Sequence, residues 1–188
     1  MQENKVLSLF ISTDAEEDMS EYALEKIIIT EGTSVPPFEF RNITNLRTVI
    51  LPDDIKTIGE RAFEGCDNLE DINVPSELEV IEENAFINCT KIKKFAMPEK
   101  IRYIGRYAFL NCKKINEVIL PDTITYVGTG AFSGCTDIEK IRIGNQITSY
   151  GKGYASENYC VRPEAFKGCV NVKELTMPML ATYNWIGG

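Results

Sequence analysis

Apolar and polar positions along this chain follow one phrase that keeps returning. It reads Leu69-x-x-Ile72-x-Val74-Pro75, then Leu78-x-x-Ile81, then Ala85-Phe86-x-x-Cys89. The next two copies are Ile92-x-x-Phe95-x-Met97-Pro98 with Ile101-x-x-Ile104-Gly105, and Ile115-x-x-Val118-x-Leu120-Pro121 with Ile124-x-x-Val127-Gly128. Upstream, Leu24-x-x-Ile27-x-Ile29 and Leu46-x-x-Val49-x-Leu51-Pro52 fit the first part; downstream, Ile138-x-x-Ile141-x-Ile143-Gly144 and Val172-x-x-Leu175-x-Met177-Pro178 do. Cys66, Cys89, Cys112 and Cys135 follow one another at 23 residues, and Cys169 comes 34 after Cys135.

Each part of the phrase predicts an element. In Ile72-x-Val74 the two apolar side chains share one face of a short strand. The proline that follows has no N–H to give and ends the ladder. Ile-Gly at 58–59 and 104–105, with Val127-Gly128, predicts a second extended piece closed by a residue free to take positive φ. Ala-Phe-x-x-Cys has apolar residues at i, i+1 and i+4, the pattern of a single helical or 3₁₀ turn with one buried face. Seven strand-like segments at the usual spacing make one parallel sheet about 30 Å wide. One unit alone cannot bury its apolar face, whereas a stack can.

The organisation follows. Residues 1–22, with a short strand near Val6–Ile11 and the acidic run Asp14–Asp18, read as an N-terminal cap on the stack, or as a linker from an upstream domain. Residues 23–180 hold about six to seven repeats, with an 11-residue insertion near 151–164. Residues 181–188 stop mid-repeat, as a C-terminal end or a truncation. The whole of 1–188 reads as a single domain.

The pattern Leu-x-x-Ile-x-Ile-Pro-x-x-Val-x-x-Ile-Gly-x-x-Ala-Phe-x-x-Cys resembles the BspA-like (treponemal-type) leucine-rich repeat. The resemblance implies an α/β repeat solenoid, a right-handed superhelix. It places a parallel β-sheet on the concave face, and short strands with 3₁₀ or single-turn helices on the convex face. It also implies a bacterial surface or secreted protein that acts as an adhesin or binding module. Gly144 in the proline slot and Tyr150-Gly151 in the aliphatic slot depart from the pattern.

Composition narrows the function classes. Hydrophobic residues at 44% and charged residues at 26% belong to a folded chain. The formal charge of −8 argues against a nucleic-acid surface. No apolar run approaches the ~20 residues of a membrane span. The count of histidines is 0, which removes the commonest general base and zinc ligand together. No nucleophile elbow, phosphate loop or Cys-x-x-Cys pair occurs, so the expectation is a non-enzymatic chain without cofactor or metal.

Binding residues are therefore the candidates. Cys66, Cys89, Cys112, Cys135 and Cys169 form one column, read as buried and reduced because parallel stacking does not supply disulfide geometry. Cys160, inside the insertion, is read as a packed loop residue or an exposed thiol. On the solvent face of the sheet, Lys26, Thr48, Asp71, Lys94, Glu117, Lys140 and Glu174 form a column whose sign alternates from Asp71 onward. It reads as a device that pins the register. The next column, Ile28, Ile50, Asn73, Ala96, Ile119, Arg142 and Thr176, exposes aliphatic residues among charges. It reads either as a binding stripe or as scattered surface residues. Tyr154, Tyr159 and Arg162 in the insertion suit a partner protein or a glycan. The functional expectation is a monomeric interaction or adhesion module for a host or cell-surface protein. Ile28, Ile50, Asn73, Lys94, Ile119, Lys140 and Arg142 form its face. The other readings are a stalk of a longer surface protein and a cytoplasmic scaffold.

Overall fold

The computed structural model describes residues 6–9, 24–147, 149–150, 160–162 and 164–178. In chain order its strands are β1 Val6–Leu9, β2 Lys26–Ile29, β3 Ser34–Val35, β4 Thr48–Ile50, β5 Thr57–Ile58, β6 Asp71–Ile72 and β7 Val80–Ile81. They continue with β8 Tyr103–Ile104, β9 Glu117–Ile119, β10 Tyr126–Val127, β11 Lys140–Arg142, β12 Ser149–Tyr150, β13 Cys160–Val161 and β14 Glu174–Thr176. All pair in parallel, as they must when every coil runs the same way. The front face carries two ladders, β1-β2-β4-β6 and β14-β11-β9, and the rear face carries one, β12-β13-β10-β8-β7-β5-β3. The chain is thus a parallel-sheet solenoid.

Equivalent side chains stack through the middle of the coils. Phe40, Phe63, Phe86, Phe109, Phe132 and Phe166 are fully buried, with consecutive rings 5.1 to 5.4 Å apart and within 24° of parallel. The spacing is one coil rise, so rings 23 residues apart in sequence become face-to-face neighbours, each adding aromatic attraction to area burial. Beside them runs the cysteine column. Each thiol donates to the phenylalanine carbonyl of an adjacent coil: Cys66 to Phe40 O at 3.0 Å, Cys89 to Phe63 O at 3.0 Å and Cys112 to Phe86 O at 3.1 Å. These five cysteines are free and buried.

Burial pushes the thiol pKa up in all five, to about 12 in Cys66 and Cys169. A group that titrates later when folded stabilises the fold fully below its unfolded pKa, near 9.0, and loses that contribution as pH rises toward the folded value. The midpoint of thermal unfolding should therefore fall steadily above pH ~9, and the five thiols should react with a disulfide reagent only after denaturation. Rapid labelling of Cys89 in the native chain at pH 8 would contradict the buried column.

Ala-Phe-x-x-Cys is not helical: no helix occurs among the described residues. The reason lies in how the N–H groups alternate. Ala85 N donates to Glu82 O, Ile87 N to Asn84 O and Cys89 N to Phe86 O, all within the coil. Between them, Phe86 N donates to Ala108 O and Asn88 N to Leu110 O, on the next coil. A helix would need every one of these donors for itself. Left-handed backbone at Asn84 (φ 56°) and Asn88 (φ 64°) turns the alternate groups outward, and Arg61, Tyr107, Gly65 and Asn111 repeat it on adjacent coils.

The insertion also sits differently. The position beside β10 is taken by Cys160–Val161, with β12 displaced to the outer edge. Val161 is buried where an aliphatic residue is needed, and Arg162 N donates to Val127 O. The added residues therefore precede Cys160, whose backbone belongs to the rear ladder rather than to the excursion. Its side chain, like the region 151–159, lies outside the described residues.

Candidate functional site

The expected single front sheet is interrupted. The six segments outside rung four are joined in one pattern: Arg47 N donates to Glu25 O, Glu70 N to Arg47 O, Glu139 N to Asn116 O and Lys173 N to Glu139 O. At the fourth rung the equivalent bonds are missing, and Lys94, Phe95, Ala96 and Met97 make no hydrogen bond among the described residues. One side chain accounts for this. Phe95 occupies the slot held elsewhere by Ile27, Val49, Ile72, Val118, Ile141 and Leu175. Its ring reaches the aromatic stack, edge-on to Phe86 at 5.2 Å and to Phe109 at 4.9 Å, so the backbone follows the ring rather than the ladder. Asn73, on the third rung, turns its side chain the other way, toward the second. Its amide accepts from Leu51 N at 2.7 Å and donates to Leu51 O at 2.8 Å, standing in for the next strand residue.

The break opens two shallow cavities. One, of about 430 Å³, lies between the walls of Thr48, Ile50, Asp71 and Asn73 and those of Lys93 and Lys94. The other, of about 270 Å³, has an apolar floor of Phe95, Ala96, Met97, Ile119 and Pro121, with Glu99, Glu117, Lys94 and Arg142 around it.

The broken ladder changes the alternating charge column. Lys140 and Glu174, on paired strands, close to 2.8 Å. Asp71, Lys94 and Glu117 form no ion pair among the described residues. Pairing instead falls on neighbouring columns, where Glu70 lies between Arg47 at 3.5 Å and Lys93 at 3.6 Å, Lys100 meets Glu77 at 2.6 Å, and Lys114 meets Asp137 at 2.8 Å. These exposed pairs are worth little individually.

The candidate residues fall on two faces. Ile28, Ile50, Asn73, Lys94, Ile119, Lys140 and Arg142 share the front. Among the aliphatics only Ile50 is exposed, at 38%, while Ile28 and Ile119 are half-buried. Arg142 is committed to Asp122 at 3.3 Å and to Leu120 O at 3.3 Å. Arg162 belongs to the rear, its guanidinium 5.7 Å from the centre of the Tyr126 ring, which stacks on Tyr103 at 4.8 Å. Tyr154 and Tyr159 lie outside the described residues. The unpaired fourth rung was not expected from the sequence. Its signal was the size of Phe95, an aromatic residue in a slot otherwise filled by aliphatic ones.

A family model described as a BspA type leucine rich repeat region matches residues 33–159 in 6 copies. The fold is similar to that of a T. pallidum leucine rich repeat protein, with a TM-score of 0.75 at 23% identity over 97% of this chain and 77% of that one. A Bacteroides ovatus leucine-rich repeat protein gives 0.70 at 24% identity, over 81% of this chain and 39% of its own. A leucine rich cell surface protein of Faecalibacterium prausnitzii gives 0.65 at 21% identity, over 80% and 47%. This chain thus spans less than half the length of the last two. No curated protein matches it.

Proposed function

The chain belongs to the BspA-type leucine-rich-repeat family, and from that premise we propose that it is a non-enzymatic protein-interaction module whose front sheet face takes the partner. The observation that carries this reading is the break at rung four. It leaves an apolar floor, exposed Ile50 and the unpaired Asp71, Lys94 and Glu117 side by side on one face. A surface that served only to hold coils together would close those charges on one another, as Lys140 and Glu174 do. Depleted pairing around apolar area is how a protein interface is built.

The finer reading is adhesion to a host or cell-surface protein, from a position on the bacterial surface. Support for it comes from the F. prausnitzii neighbour, which is described as a cell surface protein. The region 151–159, with Tyr154 and Tyr159, would add a second contact.

The test is capture from host matrix and serum proteins, followed by affinity measurement on variants. Ile119→Lys should weaken the captured complex about 30-fold and leave the thermal midpoint close to that of the parent chain. If Ile119→Lys and Lys94→Glu both leave affinity unchanged, the front face is not the interface.

A further inference from the structure

The fourth rung leaves more than side chains without partners. A parallel ladder satisfies the N–H and C=O groups of each strand through its two neighbours. Here four consecutive residues, Lys94 to Met97, satisfy none of theirs among the described residues. Lys94 and Ala96 are exposed and Met97 is half-buried, while Phe95 is buried, so the accessible part of this segment lies at Lys94, Ala96 and Met97, where the cavities open. Unpaired strand-like backbone at a surface is a template for another backbone.

The two cavities specify the side chains such a backbone would bring. The floor of Phe95, Ala96, Met97, Ile119 and Pro121 is apolar and, at about 270 Å³, holds an aliphatic side chain. Around it the charges are unbalanced. Arg142 is held by Asp122 and Lys93 by Glu70. That leaves Asp71, Glu99 and Glu117 against Lys94 alone, so the free charge at the break is anionic. A glycan offers neither the aliphatic anchor nor the run of amides and carbonyls.

Resting on the front-face reading above, we propose that rung four is the recognition element and that its ligand is an extended segment of a partner protein. That segment pairs its main chain with residues 94–97, seats an aliphatic side chain over Phe95, Met97 and Ile119, and sets an adjacent Lys or Arg between Asp71 and Glu117.

A displayed random-peptide library selected on the intact chain tests it, with a glycan panel run in parallel. Enrichment of peptides with an aliphatic residue next to a basic one is expected. Glu117→Lys and Ala96→Lys, both at exposed sites, should each weaken the best synthetic peptide about 30-fold. Lys26→Glu, on the same face at the first rung, should not change it. Amides of 94–97 should exchange rapidly with deuterium in the free chain and be protected once the peptide is bound. Failure to enrich any peptide, enrichment of acidic peptides, or binding by the glycan panel instead would overturn the proposal. So would slow exchange of 94–97 in the free chain. Peptide binding that Lys26→Glu abolishes and Glu117→Lys spares would leave the front face as the interface while removing rung four from it.

Discussion

Phe109→Ala should destabilise the chain by about 3–5 kcal/mol, the usual cost of removing a buried phenylalanine. Phe109 is fully buried and touches three rings: Phe86 at 5.2 Å and Phe132 at 5.1 Å face to face, and Phe95 at 4.9 Å edge-on. Truncation removes all three contacts at once. The void cannot close easily, because the coils above and below are tied by backbone bonds such as Phe86 N to Ala108 O and Phe109 N to Ala131 O. In a solenoid each coil is stabilised mainly by its neighbours. Phe109→Ala should therefore lower the denaturation midpoint and also broaden the transition, as the stack is divided into two halves that melt separately. Phe40→Ala, at the first ring of the column, where Phe63 is the one stacking partner among the described residues, should cost less and leave the transition sharp. Urea unfolding followed by circular dichroism measures both. Equal losses for the two variants would mean that the ring column does not set stability in the way its geometry indicates.

What the period made legible, and what it did not, divides along a physical line. Positions that recur every 23 residues had to stack, and the Phe and Cys columns do. Whether Ala-Phe-x-x-Cys winds into a helix depended on where its N–H groups go. Apolar spacing carries no information on that, although the Asn or Gly before Ile43 and before each cysteine of the column was a visible mark of left-handed backbone. Asn42, Gly65, Asn88, Asn111, Gly134 and Gly168 all adopt it. The fourth rung was hidden for a different reason. A binary pattern counts Phe95 as one more apolar residue, yet its size is what takes the backbone out of the ladder. The alternating charge column then failed to close at Lys94, whose strand has left the ladder, even though Lys93 beside it still reaches Glu70. The front face was thus identified as a surface, while the feature that distinguishes one part of it from the rest depended on side-chain volume.

Gly128→Ala should cost about 3 kcal/mol, and the reason differs from the one the sequence proposes. Gly59, Gly105 and Gly128 close the second extended piece, where a positive φ was expected, but none of them adopts one. What they provide is room. A Cβ on Gly128 would lie 2.5 Å from Arg106 N and 2.6 Å from Gly105 C, and on Gly105 it would lie 2.6 Å from Glu82 C. These obstacles are backbone atoms of the adjacent coil, fixed by bonds such as Gly128 N to Ile104 O at 2.8 Å, so neither partner can rotate away. A methyl group there must push two coils apart and strain the rear ladder on both sides. Gly168 makes the contrast. Its φ is 77°, yet the nearest atoms to an added Cβ, in Gly134, are 3.6 Å away. Gly168→Ala should therefore cost only the left-handed backbone penalty, about 1 kcal/mol. Thermal unfolding of the two variants separates the explanations: if conformational freedom were what Gly128 supplied, the two alanines would cost the same, whereas steric exclusion between coils requires Gly128→Ala to be the more damaging.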